Sequence, residues 1–311
     1  MCAKAAGLLG FISLSVMFLI WWERKISAHI QSRLGPMIVG WHGCLQTIAD
    51  TVKLLLKENI VCREADKLTF WFAPLIVFVA SFLPFVALPF SKTLIPQDLN
   101  LGLLYILAVS SLGVIGIFMA GWGSGNKYSL LGGMRTAAQI ISYEIPLVLS
   151  ILSIIMMTGS LSMNAITEAQ KNGWFILYQP IAFLIYFISA IAEVNRAPFD
   201  IAEAESELVA GFHTEYSGMK FSMFFLAEYT NMFVVCAIAA TLFLGGWQGP
   251  FLPGIVWFGL KVYFLIFVMM WVRWTFPRLR VDQLMGFAWK FLMPAAFLNI
   301  LVTALVMTFL R

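Results

Sequence analysis

Apolar residues fill this chain in runs of about 20, and the charged residues collect between them. Eight such runs cover residues of about 5–22, 69–90, 102–122, 136–159, 174–194, 221–245, 254–275 and 289–310. Coiled as helices at 1.5 Å per residue, each is long enough to cross a hydrocarbon core of roughly 30 Å. The pattern predicts an all-α polytopic membrane protein in which residues 1–311 form a single integral membrane domain with about eight transmembrane helices. Pro84, Pro89, Gly113, Gly116, Pro146 and Pro180 fall inside or beside these runs. Membrane helices tolerate them where neighbours satisfy the freed backbone groups.

Two connecting stretches carry periodicity of their own. In the first long loop, residues 23–68, Leu45, Ile48, Ala49, Val52, Leu55 and Leu56 recur at helical spacing, and Gln46, Asp50, Lys53 and Lys57 take the other face. That predicts an amphipathic helix of about 14 residues, too short and too polar to span, lying in the interface plane or roofing a cavity. The competing reading is a simple surface anchor. Gly35-Pro36 bends the chain ahead of it, and Gly123–Arg135 reads as a short glycine-rich loop.

The second stretch, Glu193–Gly218, holds six of the 16 acidic residues in 26 positions. Pro198 stops a helix from extending back through it. Asp200 followed by Glu203 fits a capping box, Ile201, Ala204 and Leu208 share a face, and Gly211 is a natural stop, so a short helix over about 201–210 is predicted. Asp200, Glu203 and Glu207 lie together on it, with Glu205 turned away. A solvated acidic loop is the plainer alternative.

Charge then orients the chain. The loops after spans 1, 3, 5 and 7 with their flanks carry 15 of the 20 Lys and Arg, and the opposite face carries 4. That bias puts the odd-numbered loops in the cytoplasm and both termini outside. The first run leads into Trp21-Trp22-Glu23-Arg24-Lys25 without a small-residue cleavage site, so it reads as a retained span. Hydrophobic residues make up 61% and charged residues 12%, with a mean hydropathy of +0.88, far from soluble averages. The four cysteines form no C-x-x-C pair, which supports neither an iron–sulfur cluster nor a zinc site in this chain. No phosphate-binding glycine motif is present, and nothing suggests nucleic acid. The three histidines are scattered, and a polar-loop histidine such as His213 reads as a surface residue.

Ionisable residues inside the spans are the chemical signal. Glu144 lies about eight residues into span 4 and Glu228 about seven into span 6, each roughly 10–12 Å below the cytoplasmic face. Glu193 ends span 5. Lys261 sits in span 7, in the opposite half. Charged groups at such depth cost about 2.5–3.5 kcal/mol on insertion scales and are functional candidates. Three carboxylates continuous with an acidic loop read as part of a proton path, with Lys261 on the far side. The alternative is polar glue between helices.

Several motifs together carry a family resemblance. They include Trp22-Glu23-Arg24-Lys25, Arg33-Leu34-Gly35-Pro36, Ile141-Ser142-Tyr143-Glu144, Glu193–Asp200, Glu203–Gly211, Thr214-Glu215-Tyr216-Ser217-Gly218 and Asp282-Gln283-Leu284-Met285. The chain resembles, over essentially its whole length, the H-type membrane component of proton-pumping NADH-quinone oxidoreductase, respiratory complex I. The resemblance implies a subunit, inactive alone, of a proton-translocating enzyme in a bacterial inner membrane, forming the membrane side of a quinone chamber. It implies quinone as substrate at the subunit interface, with flavin and iron–sulfur clusters in partner subunits. The implied partners are peripheral-arm subunits on the cytoplasmic loops, antiporter-like and small membrane-arm subunits, and lipids. Asp200, Glu203, Glu205, Glu207 and Glu215 would couple quinone reduction to proton movement. Glu144, Glu193 and Glu228 would open the proton path. Arg24, Arg33, Arg196, Phe212, Arg273 and Arg278 would line the chamber or hold the loops. Where the family commonly continues with Asn-Arg-Val-Gly-Pro after Arg33–Pro36, this chain has Met37-Ile38-Val39-Gly40-Trp41, losing a basic residue at the chamber mouth. An anchor subunit of an energy-converting hydrogenase, or a complex I-like enzyme with another electron donor, would share most of these features. An autonomous channel is disfavoured by the absence of an inverted repeat.

Overall fold

The computed structural model describes residues 2–201 and 209–310. Among these it is helical throughout, without strands. The helices are α1 (Cys2–Ile30), α2 (Gln46–Leu56), α3 (Lys67–Phe82), α4 (Gly102–Ser110), α5 (Leu112–Gly123), α6 (Lys127–Thr158), α7 (Met163–Ala169), α8 (Phe175–Tyr178), α9 (Pro180–Glu193), α10 (Gly218–Phe243), α11 (Gly254–Thr275), α12 (Val281–Phe287) and α13 (Met293–Leu310). A π-helical segment, Ala288–Leu292, joins α12 to α13 directly before Pro294, whose ring and missing N–H disturb the ladder there.

Among the described residues, seven helical stretches are long and apolar enough to cross a membrane. The fifth expected span differs. Pro180 forces Gln179 out of helical geometry, so the run 174–194 breaks into the single turn α8 and the 14-residue α9. At 1.5 Å per residue α9 reaches about 21 Å, short of a full hydrocarbon core.

The bundle is built around α10. Its alanine-rich second half, with Ala237, Ala239 and Ala240, is buried on every side, as expected of a helix apolar all round. α3, α9, α11 and α1 pack against it, and α6 packs against α5, α9 and α13.

The glycine-rich stretch before span 4 is helix rather than loop. α6 begins at Lys127, capped by the Asn126 carboxamide oxygen, which accepts from the Tyr128 N–H at 3.0 Å. Its glycines serve close packing. A side chain at Gly121 would meet the Ser129 carbonyl oxygen at 2.8 Å, and one at Gly132 would meet the Gly211 Cα at 2.8 Å. Small residues let the backbones approach this closely.

The amphipathic helix forms as α2, over 11 residues, resting on α1 and α10. Its polar seam turns inward. Thr47 is buried, Gln46, Asp50 and Thr51 are half-buried, and Leu45, Ile48, Val52 and Leu55 face outward. This is the reverse of a helix on a water-soluble protein, and it suits an outer face immersed in lipid.

Candidate functional site: a cavity and an arginine–carboxylate cluster

Three structural features meet at the end of the bundle that carries the acidic stretch. The first is an ion cluster. Residues 194–201 follow α9 and are tied down by Gln139 of α6, whose Nε2 donates to the carbonyls of Ala192 at 2.8 Å and Phe199 at 2.7 Å. This places Arg196, 3% exposed, inside the bundle. Its Nη1 donates to both oxygens of Glu23 at 2.8 and 2.9 Å, its Nε ion-pairs with Glu228 Oε1 at 2.8 Å, and its guanidinium lies 4.4 Å from the Tyr229 ring centroid. Arg273, from the last turn of α11, also bonds Glu23. The cluster thus joins α1, α10, α11 and the stretch after α9. Two acids and two guanidiniums balance in charge, which is what makes their burial tolerable.

The second feature is a cavity of ≈ 80 Å³ between α3, α4, α5, α6, α9 and α10. That is room for several waters. Its polar lining is Glu193, Glu228, Asn195, Asn231, Ser110 and His213, and the remainder is largely aliphatic and aromatic. Glu144, half-buried on α6, is near enough to Glu193 for the two charges to interact. Of the three membrane carboxylates named from sequence, two share one cavity and the third adjoins it. His213 does not behave as a surface histidine. The turn Gly211–His213 is pressed onto α6, with the Ser129 hydroxyl donating to the Phe212 carbonyl at 2.8 Å. Burial pushes the His213 imidazole down to about 4. Phe212 lines the same cavity.

The third feature fastens the acidic stretch at its far end. Glu215 accepts from the Cys62 thiol at 2.8 Å and from the Asn126 carboxamide at 2.7 Å. The Cys62 and Asn126 hydrogen bonds hold the Glu215 carboxyl below the usual carboxylate range, and the bond to Glu215 pushes the Cys62 thiol up. Tyr216 stacks on Phe70 with centroids 4.1 Å apart, and Ser217 bonds the Glu58 carbonyl. Asp200, at the near end, accepts from Arg278 at 2.9 Å. Glu203, Glu205 and Glu207, with the helix expected over 201–210, lie outside the described residues.

The other residues named from sequence are dispersed. Arg24 pairs with Asp50 at 2.6 Å, linking α1 to the inward seam of α2, and Arg33 is exposed. Lys261 is at the other end of α10. Its ammonium donates to the carbonyls of Leu244 at 2.6 Å, Gly246 at 2.9 Å and Gln248 at 2.7 Å. The 16 positions from Glu228 to Leu244, the cap of α10, separate it from the cavity carboxylates by about 24 Å. Among the described residues, no group of three or more His, Cys, Asp or Glu is placed to hold a metal ion.

Glu23, His213, Gln139 and Cys62 were not singled out by sequence reasoning. Only Glu23 offered a signal, as an acid at the membrane end of a basic segment where topology calls for Lys and Arg alone.

Chemically, the arrangement can hold water beside two carboxylates and an imidazole, and can pass charge between the acidic stretch and the bundle interior. Residues 3–304 match the profile of the NADH dehydrogenase family. The chain is similar to the H-type component of the NADH-quinone oxidoreductase of Dehalococcoides mccartyi, 58% identical over 297 residues that cover 96% of this chain and 84% of the relative. It is similar to the first of the H-type components of the same enzyme in Geobacter sulfurreducens, 52% identical over 330 residues covering 99% and 95%. The corresponding Bacteroides fragilis protein is 49% identical over 310 residues, covering 94% and 87%. With a match over nearly its whole length and half or more of its residues shared with such relatives, the chain belongs to the NADH dehydrogenase family, among the H-type components of NADH-quinone oxidoreductase.

Proposed function

We propose that this chain is the membrane subunit of an NADH-quinone oxidoreductase that forms part of the quinone chamber and couples quinone reduction to proton translocation. The observation that carries the reading is the cavity with room for several waters that Glu193 and Glu228 both line, with the acidic stretch fastened beside it. Quinone is the substrate, held where the inward polar seam of α2 meets α1, with Arg24, Arg33, Arg196, Phe212, Arg273 and Arg278 lining the chamber or holding the loops. Partner subunits supply the flavin and the iron–sulfur clusters, and dock on the loops that carry most of the Lys and Arg. Those loops face the cytoplasm, and the membrane is the bacterial inner membrane. Glu144, Glu193 and Glu228 form the opening of the proton path. Asp200, Glu203, Glu205, Glu207 and Glu215 convey the change at the quinone to it.

The test is Glu193→Gln in the assembled complex in sealed vesicles, with quinone reduction and proton uptake followed together and subunit content checked. Proton uptake per quinone reduced is expected to fall while assembly holds. Normal uptake and normal reduction in the assembled variant would sink the reading. A wild-type complex that takes electrons but passes none to quinone would point to a hydrogenase-type anchor instead.

A further inference from the structure

Sequence alone gives His213 no chemical role, yet the fold brings it to the cavity wall. Three separate contacts aim it there. Gly211 is seated against Gly132 so closely that a side chain at Gly132 would meet the Gly211 backbone at 2.8 Å. The Ser129 hydroxyl holds the Phe212 carbonyl, and Glu215, two residues on, is bonded to Cys62 and Asn126. The chain between these fastenings is short, so the His213 ring is committed to the bundle side, where it packs against Phe221 at 5.4 Å and Phe212 at 4.9 Å. The turn therefore has a cavity face at His213 and a loop face at Glu215.

We propose that His213 is the proton-transfer residue through which the loop side of the Gly211–His213 turn exchanges protons with the Glu193 and Glu228 cavity. This rests on the proton-coupled function proposed above. Among the described residues, the titratable groups lining the cavity with it are Glu193 and Tyr186 of α9 and Glu228 of α10. Behind them stand Glu144 and Arg196. α3, α4, α5 and α6 contribute only uncharged side chains to the wall. Among the described titratable lining groups, His213 is the one carried on the turn that leads to Glu215.

A neutral imidazole suits the task, since one ring nitrogen accepts while the other donates. One nitrogen takes a proton from the loop side, and the other releases its own to a cavity water. The ring is left as the other tautomer and is reset by turning over. One proton moves and nothing is oxidised or reduced. With the imidazole depressed to about 4, only about one ring in a thousand is charged at neutral pH, so the site relays protons without storing them.

The experiment compares His213→Gln, His213→Asn and His213→Ala with wild type in the assembled complex in vesicles. It reads quinone reduction, proton uptake and subunit content. Gln and Asn keep hydrogen-bonding capacity but cannot be protonated and relay. Proton uptake is expected to slow by about 100-fold, the scale of a positioned acid–base group. Free imidazole should restore it in His213→Ala in a concentration-dependent way, a response that a packing role would not give. Unchanged proton uptake in any assembled variant overturns the proposal. Failure of all three to assemble also overturns it, by making His213 a packing residue. A wild-type complex whose quinone reduction moves no protons across the vesicle membrane would instead overturn the functional reading itself, so the two failures are distinguishable.

Discussion

Arg196 is the residue whose replacement tests the cluster most directly. In Arg196→Met the stacking contact with Tyr229 is largely kept, but the guanidinium is gone from both acids. Glu23, with its side chain 5% exposed, retains Arg273. Glu228, 22% exposed, loses the cation at 2.8 Å. Breaking a buried pair from one side costs about 3–5 kcal/mol, and the opening of Glu228 onto the cavity sets the value near 3. Glu228→Gln alone leaves Arg196 held by both oxygens of Glu23 and should cost about 1–2 kcal/mol. The double variant has lost both members of the 196–228 pair, so its cost should fall short of the sum by about 2 kcal/mol. That is a factor of about 30 in a rate. Because large membrane assemblies inactivate irreversibly, the assay is the half-life of the intact complex at a fixed elevated temperature, followed by retention of this subunit. The reasoning is refuted if the double variant's half-life is the product of the two single effects, an interaction below about 0.5 kcal/mol.

Two further outcomes follow from the same geometry. The Glu215 latch should fail at both ends of the pH scale. Its lowered carboxyl contributes stability that is present above the ordinary value of about 4.3 and lost as pH falls through the lowered one. The raised Cys62 thiol contributes stability that is present below about 8.5 and lost as pH rises through the raised value. Glu215→Gln should flatten the acid limb and Cys62→Ala the alkaline limb, read as subunit retention against pH. A retention profile in either variant identical to wild type would refute the latch. Lys261→Met strips three carbonyls of a charged donor and should destabilise the Leu244 end of α10 by about 2 kcal/mol or more. Its effect is expected on heat half-life, with proton uptake per quinone unchanged. A loss of uptake at full stability would return Lys261 to the proton path.

The fold was legible wherever burial in lipid alone decides structure. Runs of about 20 apolar residues became helices, and the seam Leu45–Leu56 became α2, because period and length carry those outcomes. What periodicity could not reveal were packing decisions. Gly132 and Gly133 read as loop because glycine lowers helix propensity, yet here they let α6 meet Gly211 and Gly121. The outward turn of α2's apolar seam was open until its neighbours were known. The site was legible as an inventory and illegible as a geometry. Glu193 and Glu228 were evident as acids inside spans, but the arginine that links Glu228 to Glu23 lies 173 positions from the latter. No local pattern connects residues so far apart. His213 was misread because sequence shows it in a polar segment, while the fastenings on either side that turn it inward come from α6 and the first loop.

The fastenings on the two sides of the acidic stretch differ in kind, and that difference bears on coupling. On the near side, Arg196 and Arg278 hold it through full charges, and Arg196 is shared between Glu23 and Glu228. A unit charge about 4 Å away is worth about 4 kcal/mol at an effective dielectric of 20, so any change of charge around Glu23 is felt at Glu228 through the guanidinium they share. On the far side the partners of Glu215 are a neutral thiol and a carboxamide, which hold it without a full countercharge. Glu228 and His213 face one cavity from these two sides. A charge disturbance at the cluster would therefore reach the cavity at Glu228, while the turn carrying His213 stays fixed. Proton exchange at the cavity could then follow the state of the cluster without the whole loop having to move.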